Sequence, residues 1–303
     1  MTSEQLRASE AERAHESEFE SLLQPYGVLL KEINIIRELG SGSTGLVQVA
    51  AYKDKLVCVK KGHKPYSLKS YKMEASVLFK MKGAGGVPLL YAAASDYPFI
   101  VMEYVRGRTL DNDITRMYTL GARYVVDLFH KLGSSLNCLH AAGYVHNDLK
   151  VDNIIIENTT KAVRIIDMGF SCRIGDVGYP ENPNMDGAKK MHMYWSFSHF
   201  APEVFFGLAS TPAGDVFSLG RMLEEIRNYM TRKGVIRDWP MGLRLMEANM
   251  VHVLPEKRPS LVTIIITCRS YVQSFSRQIE QEVQESLNEQ SSAEGSEVLE
   301  EEG

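Results

Sequence analysis

Tyr144-Val145-His146-Asn147-Asp148-Leu149-Lys150-Val151-Asp152-Asn153 is the stretch from which the rest of the chain is read. It sets a carboxylate, an ammonium and a carboxamide at Asp148, Lys150 and Asn153, followed at once by the apolar run Ile154-Ile155-Ile156. That order predicts a polar loop braced against a strand. Asp148 can take or orient a hydroxyl proton, Lys150 can meet a phosphate oxygen, and Asn153 can ligate a divalent metal. The combination suits phosphoryl transfer, where positioning and charge neutralisation supply most of the catalysis. The other parts of such a site must then appear elsewhere in the chain, in a fixed order.

Upstream, Ile33-Asn34-Ile35-Ile36-Arg37-Glu38-Leu39 reads as a strand, and the glycines Gly40, Gly42 and Gly45 follow it. Glycines there allow a tight turn and let backbone N–H groups approach phosphate oxygens without obstruction. A dinucleotide-binding turn is the rival reading, but it wants a helix after the glycines and an acid about 20 residues on. Here they lead into a β-rich stretch, Leu46 to Lys61. Leu56-Val57-Cys58-Val59-Lys60 alternates as a half-buried strand ending on a lysine, and the alternation favours Lys60 over Lys61 as its inward cation. Lys69 to Lys82 reads as a helix with Met73, Val77, Leu78 and Met81 at helical spacing and Glu74 in its middle. Phe99 to Val105 is a buried strand running into a connector.

Downstream, Ala122 to Ala142 carries a stripe of Val125, Val126, Phe129, Leu132, Leu136 and Leu139, a helix ended by Gly143. Val163-Arg164-Ile165-Ile166-Asp167-Met168-Gly169 delivers an aspartate from a strand into a glycine-containing turn, where a carboxylate suits Mg²⁺. The stretch from Asp167 to Glu203 shows little periodicity. Its hydroxyls Ser171, Tyr179, Tyr194, Ser196 and Ser198 are open to modification. Thr211-Pro212 starts a helix, with Thr as the cap and Pro in the first turn. Its Asp215 reads as an acid in the first helical turn, favoured by the helix dipole.

The stretch at 144–153 resembles the protein kinase catalytic loop, with Asn147 where most members have arginine. The glycine-rich hairpin, the strand lysine, the helix glutamate, Asp-Met-Gly in place of Asp-Phe-Gly, Ala201-Pro202-Glu203 and Pro255-Glu256-Lys257-Arg258-Pro259 then follow the order of that family over roughly residues 33–273. The resemblance implies an α+β, bilobal protein-kinase-like fold with a β-rich N-lobe and a mainly helical C-lobe. It implies a kinase domain over 29–275 (N-lobe 29–105, C-lobe 106–275), while composition marks a polar, Glu-rich extension over 1–28, either a helix docking Phe19, Leu22 and Leu23 or a disordered segment with a short helical turn, and an acidic, unstructured tail over 276–303.

By the same resemblance ATP binds under Gly40, Gly42 and Gly45, with Val47 over the adenine. Lys60 grips the phosphates and pairs with Glu74, and Glu103 and Val105 hold the adenine through their backbone groups. Met102 forms the back of the pocket, Asn153 and Asp167 hold Mg²⁺, Asp148 orients the hydroxyl, and Lys150 neutralises charge. Asp215 anchors the catalytic loop, Arg258 pairs with Glu203, and Ser196 contacts Asp148 and Lys150. Asp-Leu-Lys-x-x-Asn implies serine/threonine rather than tyrosine transfer to protein substrates. Neutral Asn147 cannot form the bidentate charge pair with a phosphate that arginine offers. Activity is therefore expected without activation-segment phosphorylation, with order supplied by packing or by a regulatory partner. A pseudokinase scaffold that binds nucleotide and partners is the alternative, kept open by Asn147 and Met168, and a small-molecule phosphotransferase is disfavoured by Ala-Pro-Glu and Arg258.

Composition narrows the rest. At 303 residues and 44% hydrophobic, the chain holds enough apolar material for a sizeable core. The formal charge of −4 hides −4 over residues 1–20 and −9 over 280–303, leaving +9 between them. No compact basic-aromatic patch accompanies that excess, so nucleic acid is not an expected partner. Cys58, Cys138, Cys172 and Cys268 have neither zinc-site nor disulfide spacing. No apolar run approaches the ~20 residues of a membrane span and no signal core opens the chain, so the expected location is the cytoplasm, with nuclear entry compatible.

Overall fold

The computed structural model describes residues 16–42, 45–63, 68–178, 187–236 and 239–300. Its N-terminal part is a six-stranded sheet in the order β1-β5-β6-β4-β3-β2. The strands are β1 (Leu23–Gln24), β2 (Ile33–Ser41), β3 (Leu46–Tyr52), β4 (Lys55–Lys61), β5 (Leu90–Ala94) and β6 (Phe99–Glu103). All neighbours run antiparallel except β1, which lies parallel to β5. Period-two alternation on β4 decides what faces where. Val57 and Val59 point into a cluster with Leu29, Ile33, Tyr52, Phe99 and Val101, beneath helix α1 (Tyr26–Glu32). Cys58 and Lys60 therefore face the opposite side, towards the rest of the molecule. Lys61 falls on the α1 side, with its ammonium 5.5 Å from the Tyr26 ring. The strand register thus separates the two adjacent lysines.

Helix α2 (Leu68–Met81) crosses that inner face. Tyr71, Ala75, Leu78 and Met81 share one apolar cluster with Ile100 and Met102 of β6 and with the helices that follow. Those helices are α3 (Leu110–Ala141), α6 (Pro212–Arg232), α7 (Met241–Met250) and α8 (Leu261–Glu300). Between them come the short α4 (Gly187–Ser196) and α5 (Pro202–Phe205). Helix α3 bends at Gly121, whose φ of 68° an L side chain would resist. Beyond that bend its stripe of Val125, Phe129, Leu132, Leu136 and Leu139 is buried. Fully burying each such side chain is worth roughly 1.5–3 kcal/mol, so this helix is the mainstay of the C-terminal core. Small strands pin the loops to it: β7 (Gly107–Thr109), β9 (Ile154–Glu157) and β10 (Val163–Ile165) form one sheet, and β8 (Tyr144–Val145) pairs with β11 (Cys172–Arg173).

Three expectations are corrected, whereas residues 16–28 take the docked one of their two readings: β1 joins the sheet, Phe19 packs on Phe79 with ring centroids 5.5 Å apart, and Glu18 meets Lys82 at 3.2 Å. The burial of Phe19 and Leu23, apolar residues in a Glu-rich setting, accounts for this. The stretch expected to lack periodicity contains α4, since Ala, Lys and Met are good helix formers. The expected unstructured tail continues α8 to Glu300, a proline-free run rich in Glu and Gln. Thr211 stands at the cap position of α6 but its hydroxyl makes no capping bond; its carbonyl accepts from Gly214 N instead. Residues 1–15, 301–303 and Tyr179 lie outside the described residues.

Candidate active site

A cavity of about 370 Å³ opens between the sheet and the C-terminal part. It is lined by Gly40, Gly42, Gly45, Val47, Lys60, Glu74, Met102, Glu103, Val105, Asn153 and Asp167, so eleven of the residues singled out in the sequence meet at one place. The glycine-rich turn closes on itself, with Gly42 N donating to Gly45 O at 2.9 Å and Gly45 N to Gly42 O at 3.3 Å. Gly45 is required sterically. A Cβ there would stand 2.3 Å from both the Lys61 carbonyl oxygen and the Tyr71 hydroxyl. Gly40 and Gly42 have open space around them, and Ser43 and Thr44 lie outside the described residues.

Lys60 is the electrostatic centre of this cavity. Its Nζ lies 2.8 Å from Glu74 Oε2 and 2.6 Å from Asp167 Oδ1. Burial works against its charge, but the two carboxylates outweigh burial and hold Lys60 above the usual lysine range. Burial pushes Glu74 up, and Lys60 opposes it. Asp167, also opposed by burial, is held below the carboxylate range by the Lys60 ammonium and by the Gly169 N–H. Cys58, beside them on β4, has its thiol pushed up to about 12 by burial and is inert as a nucleophile.

Asp167 takes a left-handed φ of 63° and accepts from Gly169 N at 3.1 Å. Met168 next to it is fully buried in the central cluster, with Ser171 Oγ 3.4 Å from its sulfur. Its flexible, apolar chain fills this core position without an aromatic ring. Glu103 is tied by its side chain to Arg164 at 2.5 Å and to Leu89 N at 3.1 Å, which fixes the connector.

The loop at 144–153 hangs from Asp215. That carboxylate has no exposed surface and accepts from His146 N, Asn147 N and His140 Nε2, each at 2.8 Å. Burial opposes its charge, yet the bond from His140 and the field of the two histidines keep it below the ordinary range. With His146 and Asn147 so held, the Asp148 carboxylate is presented between three donors. Lys150 Nζ and Asn153 Nδ2 each reach Oδ2 at 3.0 Å, and His199 Nε2 reaches Oδ1 at 2.8 Å. Asn153 Nδ2 donates also to the Asp148 carbonyl at 2.8 Å. Its two hydrogens are thereby used, which turns Oδ1 outward as an acceptor.

Asn153 Oδ1 and the Asp167 carboxylate are hard oxygen donors on the cavity wall. They fit Mg²⁺, which binds through one or two carboxylates together with water and phosphate oxygens rather than in an all-protein cage.

A family model for the protein kinase domain matches residues 33–238. The chain belongs to the protein kinase family. Among similar proteins are the serine/threonine-protein kinase PknA of Mycobacterium tuberculosis, 33% identical over 122 residues (40% of this chain and 26% of that one), and the probable serine/threonine-protein kinase fnkB of Dictyostelium discoideum, 23% identical over 189 residues (62% and 32%). Sperm motility kinase Z of Mus musculus is 30% identical over 126 residues (41% and 23%). The matched stretch thus spans about a quarter to a third of each relative. Among the described residues no helix is long and apolar enough to cross a membrane.

Within this kinase domain one position departs from its expected contacts, and Asn147 has partners that were not anticipated. Ser196, expected beside Asp148 and Lys150, donates instead to His192 O on the exposed side of α4. His199, three residues on, is the group that touches Asp148. Helix α4 reaches Ser196 and holds its hydroxyl, so the chain arrives at the catalytic loop only after the helix ends. No residue count across so irregular a segment could have singled out His199. Asn147 is buried with a φ of 64°, and its Nδ2 donates to Phe170 O at 3.1 Å and approaches Cys172 Sγ at 3.2 Å. Its Oδ1 has no hydrogen-bond partner among the described residues.

Further along, the Ala-Pro-Glu segment is locked from below. Arg258 grips Glu203 in a two-pronged pair at 2.5 and 2.8 Å and also donates to Ala213 O, His252 O and Val253 O. Phe200, Ala201, Val204, Phe205 and Phe217 form the apolar cluster beside it.

Proposed function

We propose that the chain transfers the γ-phosphoryl group of ATP to serine or threonine hydroxyls of protein substrates. The observation that carries this reading is the Lys60–Glu74–Asp167 constellation sharing one cavity with Asn153, whose Nδ2 is bonded to the Asp148 carboxylate. Gly40, Gly42 and Gly45 put no side chain between the turn's backbone and a phosphate, and Lys60, held charged by two carboxylates, is suited to the α/β-phosphates. Val47 and Met102 would flank the adenine, and the backbone of Glu103 and Val105 would bind its edge. Mg²⁺ bound through Asn153 and Asp167 would neutralise charge on the phosphates. Asp148, kept ionised by His199 and Lys150 against its burial, orients the incoming hydroxyl and accepts its proton, while Lys150 offsets charge on the transferring group. The proposed catalytic unit runs over about 29–275, with Phe19 of the preceding segment packed on Phe79 of α2.

Turnover without activation-segment phosphorylation is part of this reading. Asn147 already ties the start of the segment by neutral bonds to Phe170 and Cys172. The segment passes so close that a Cβ on Gly178 would stand 2.3 Å from Asn147 Nδ2. A phosphate-binding arginine would have no room there.

The test is transfer of labelled phosphate from ATP with Mg²⁺ to generic protein substrates by wild type and Asp148→Asn. Transfer by wild type, lost in the variant and recovered as phosphoserine or phosphothreonine, is expected. ATP binding with no transfer would replace the reading by a nucleotide-binding scaffold. Phosphotyrosine as the main product would overturn the substrate class. Loss of turnover after phosphatase treatment of the folded protein would overturn independence from phosphorylation.

A further inference from the structure

His199 sits in the turn between α4 and α5, where nothing in the motif pattern marks it. Its ring packs on Phe200 with centroids 4.5 Å apart and stands edge-on to Phe197 at 6.3 Å. Its carbonyl accepts from Ser218 Oγ at 2.6 Å, so backbone and ring are both fixed. An ionised carboxylate has no proton to give, and the 2.8 Å contact with Asp148 Oδ1 therefore requires that Nε2 carries the hydrogen. The same residue lines a second cavity of about 590 Å³ with Lys150, Asp152, Ser196, Ser218 and Glu225, outside the nucleotide side. His199 thus stands at the point where a hydroxyl would reach Asp148 from the side opposite the nucleotide.

We propose that His199 is a positioning residue for the phosphoryl transfer. It fixes the free edge of the Asp148 carboxylate by donating from Nε2 to Oδ1, while Lys150 and Asn153 hold Oδ2. The carboxylate is then locked from both oxygens, and the second acceptor lobe of Oδ1 is aimed at the hydroxyl that enters through the outer cavity. The hydroxyl proton passes to Asp148, and His199 neither gains nor loses a proton in the step. This inference rests on the phosphotransfer reading above for its kinetic consequence, but not for the contact itself.

Two variants separate the donor from the ring. His199→Phe keeps the stack on Phe200 and removes the donor. His199→Gln removes the ring and keeps an N–H at the same reach. The expected result is a loss of about tenfold in kcat for His199→Phe, equal to about 1.4 kcal/mol in the barrier, with KM for ATP unchanged. His199→Gln should return most of that loss. Wild-type kcat in His199→Phe, or an equal loss in both variants, would overturn the proposal. The contact is read separately in the full-length chain, by long-range ¹⁵N–¹H spectra of labelled histidine. A proton held on Nε2, perturbed by Asp148→Ala, is expected, and a ring averaging between tautomers would overturn the proposal whether or not the wild type turns over. If the wild type transfers no phosphate while the ring stays locked, the phosphotransfer reading fails and the contact stands.

Discussion

Asp215 holds two backbone N–H groups of the catalytic loop with one buried carboxylate, and that arrangement has a pH signature. Its carboxyl is held below the ordinary range in the folded protein, so its contribution is fully present above the unfolded value near 3.9 and is lost as pH falls through the lower, folded value. Asp215→Asn should lose about 2–3 kcal/mol at neutral pH, because an amide nitrogen would face donors that now have an acceptor. The gap between wild type and variant, measured by urea unfolding, should stay flat above about pH 5 and shrink towards pH 3. A constant gap down to pH 3 would show that the charge is not what matters. At this scale the sequence was readable wherever a residue's role follows from its neighbours. Alternation on β4 put Lys60 inward, and the family resemblance named Glu74 as its partner. Asp215 was legible only as one of two readings, since an acid in a first helical turn has a purely local explanation. His199 was not legible at all, because its role depends on how an irregular segment folds back.

Between elements the decisive contacts join segments far apart in sequence. Arg258 and Glu203 are 55 residues apart, and the guanidinium side chain has no exposed surface. Arg258→Ala should therefore cost about 3–5 kcal/mol, since a buried carboxylate and three carbonyls lose their donor together. Differential scanning calorimetry would read this as a lower Tm, and an unchanged Tm would mean the pair is replaceable by water. Asn147→Arg tests the fit of the segment over the loop. The longer side chain must displace Gly178 and its neighbours, so both Tm and turnover should fall, whereas higher activity in the variant would contradict the packing argument. Phe19→Ala should loosen α2 through Phe79 and raise KM for ATP several-fold while leaving the C-terminal core intact. The Arg258 pairing could be anticipated from motif order. The N-terminal packing could not, because two or three apolar residues in a Glu-rich run specify no partner until the groove they fill exists.

Across the whole molecule, the cavity lies where two bodies of different secondary structure meet, and one apolar cluster passes from α2 through Met168 to α6. A nucleotide bound there stabilises both sides at once. Mg²⁺ and ATP together, at 100 times the dissociation constant, should add about 2.7 kcal/mol to stability. Asp167→Asn should lose the part that depends on Mg²⁺. An equal shift with and without the metal would argue against Asn153 and Asp167 as its ligands. The two-part architecture was legible through the order of the kinase motifs, which the resemblance ties to a β-rich lobe followed by a helical one. The helical continuation to Glu300 was not, since its polar composition fits a free coil equally well. The family match begins at residue 33, after the strand β1 that covers the outer edge of β5. A protein that began at residue 33 would leave the N–H groups of Ala93 and Ser95, which now donate to Leu22 O and Gln24 O, bare along a sheet border. Such a border recruits strands from other molecules, so the shortened form should precipitate at concentrations the longer one tolerates.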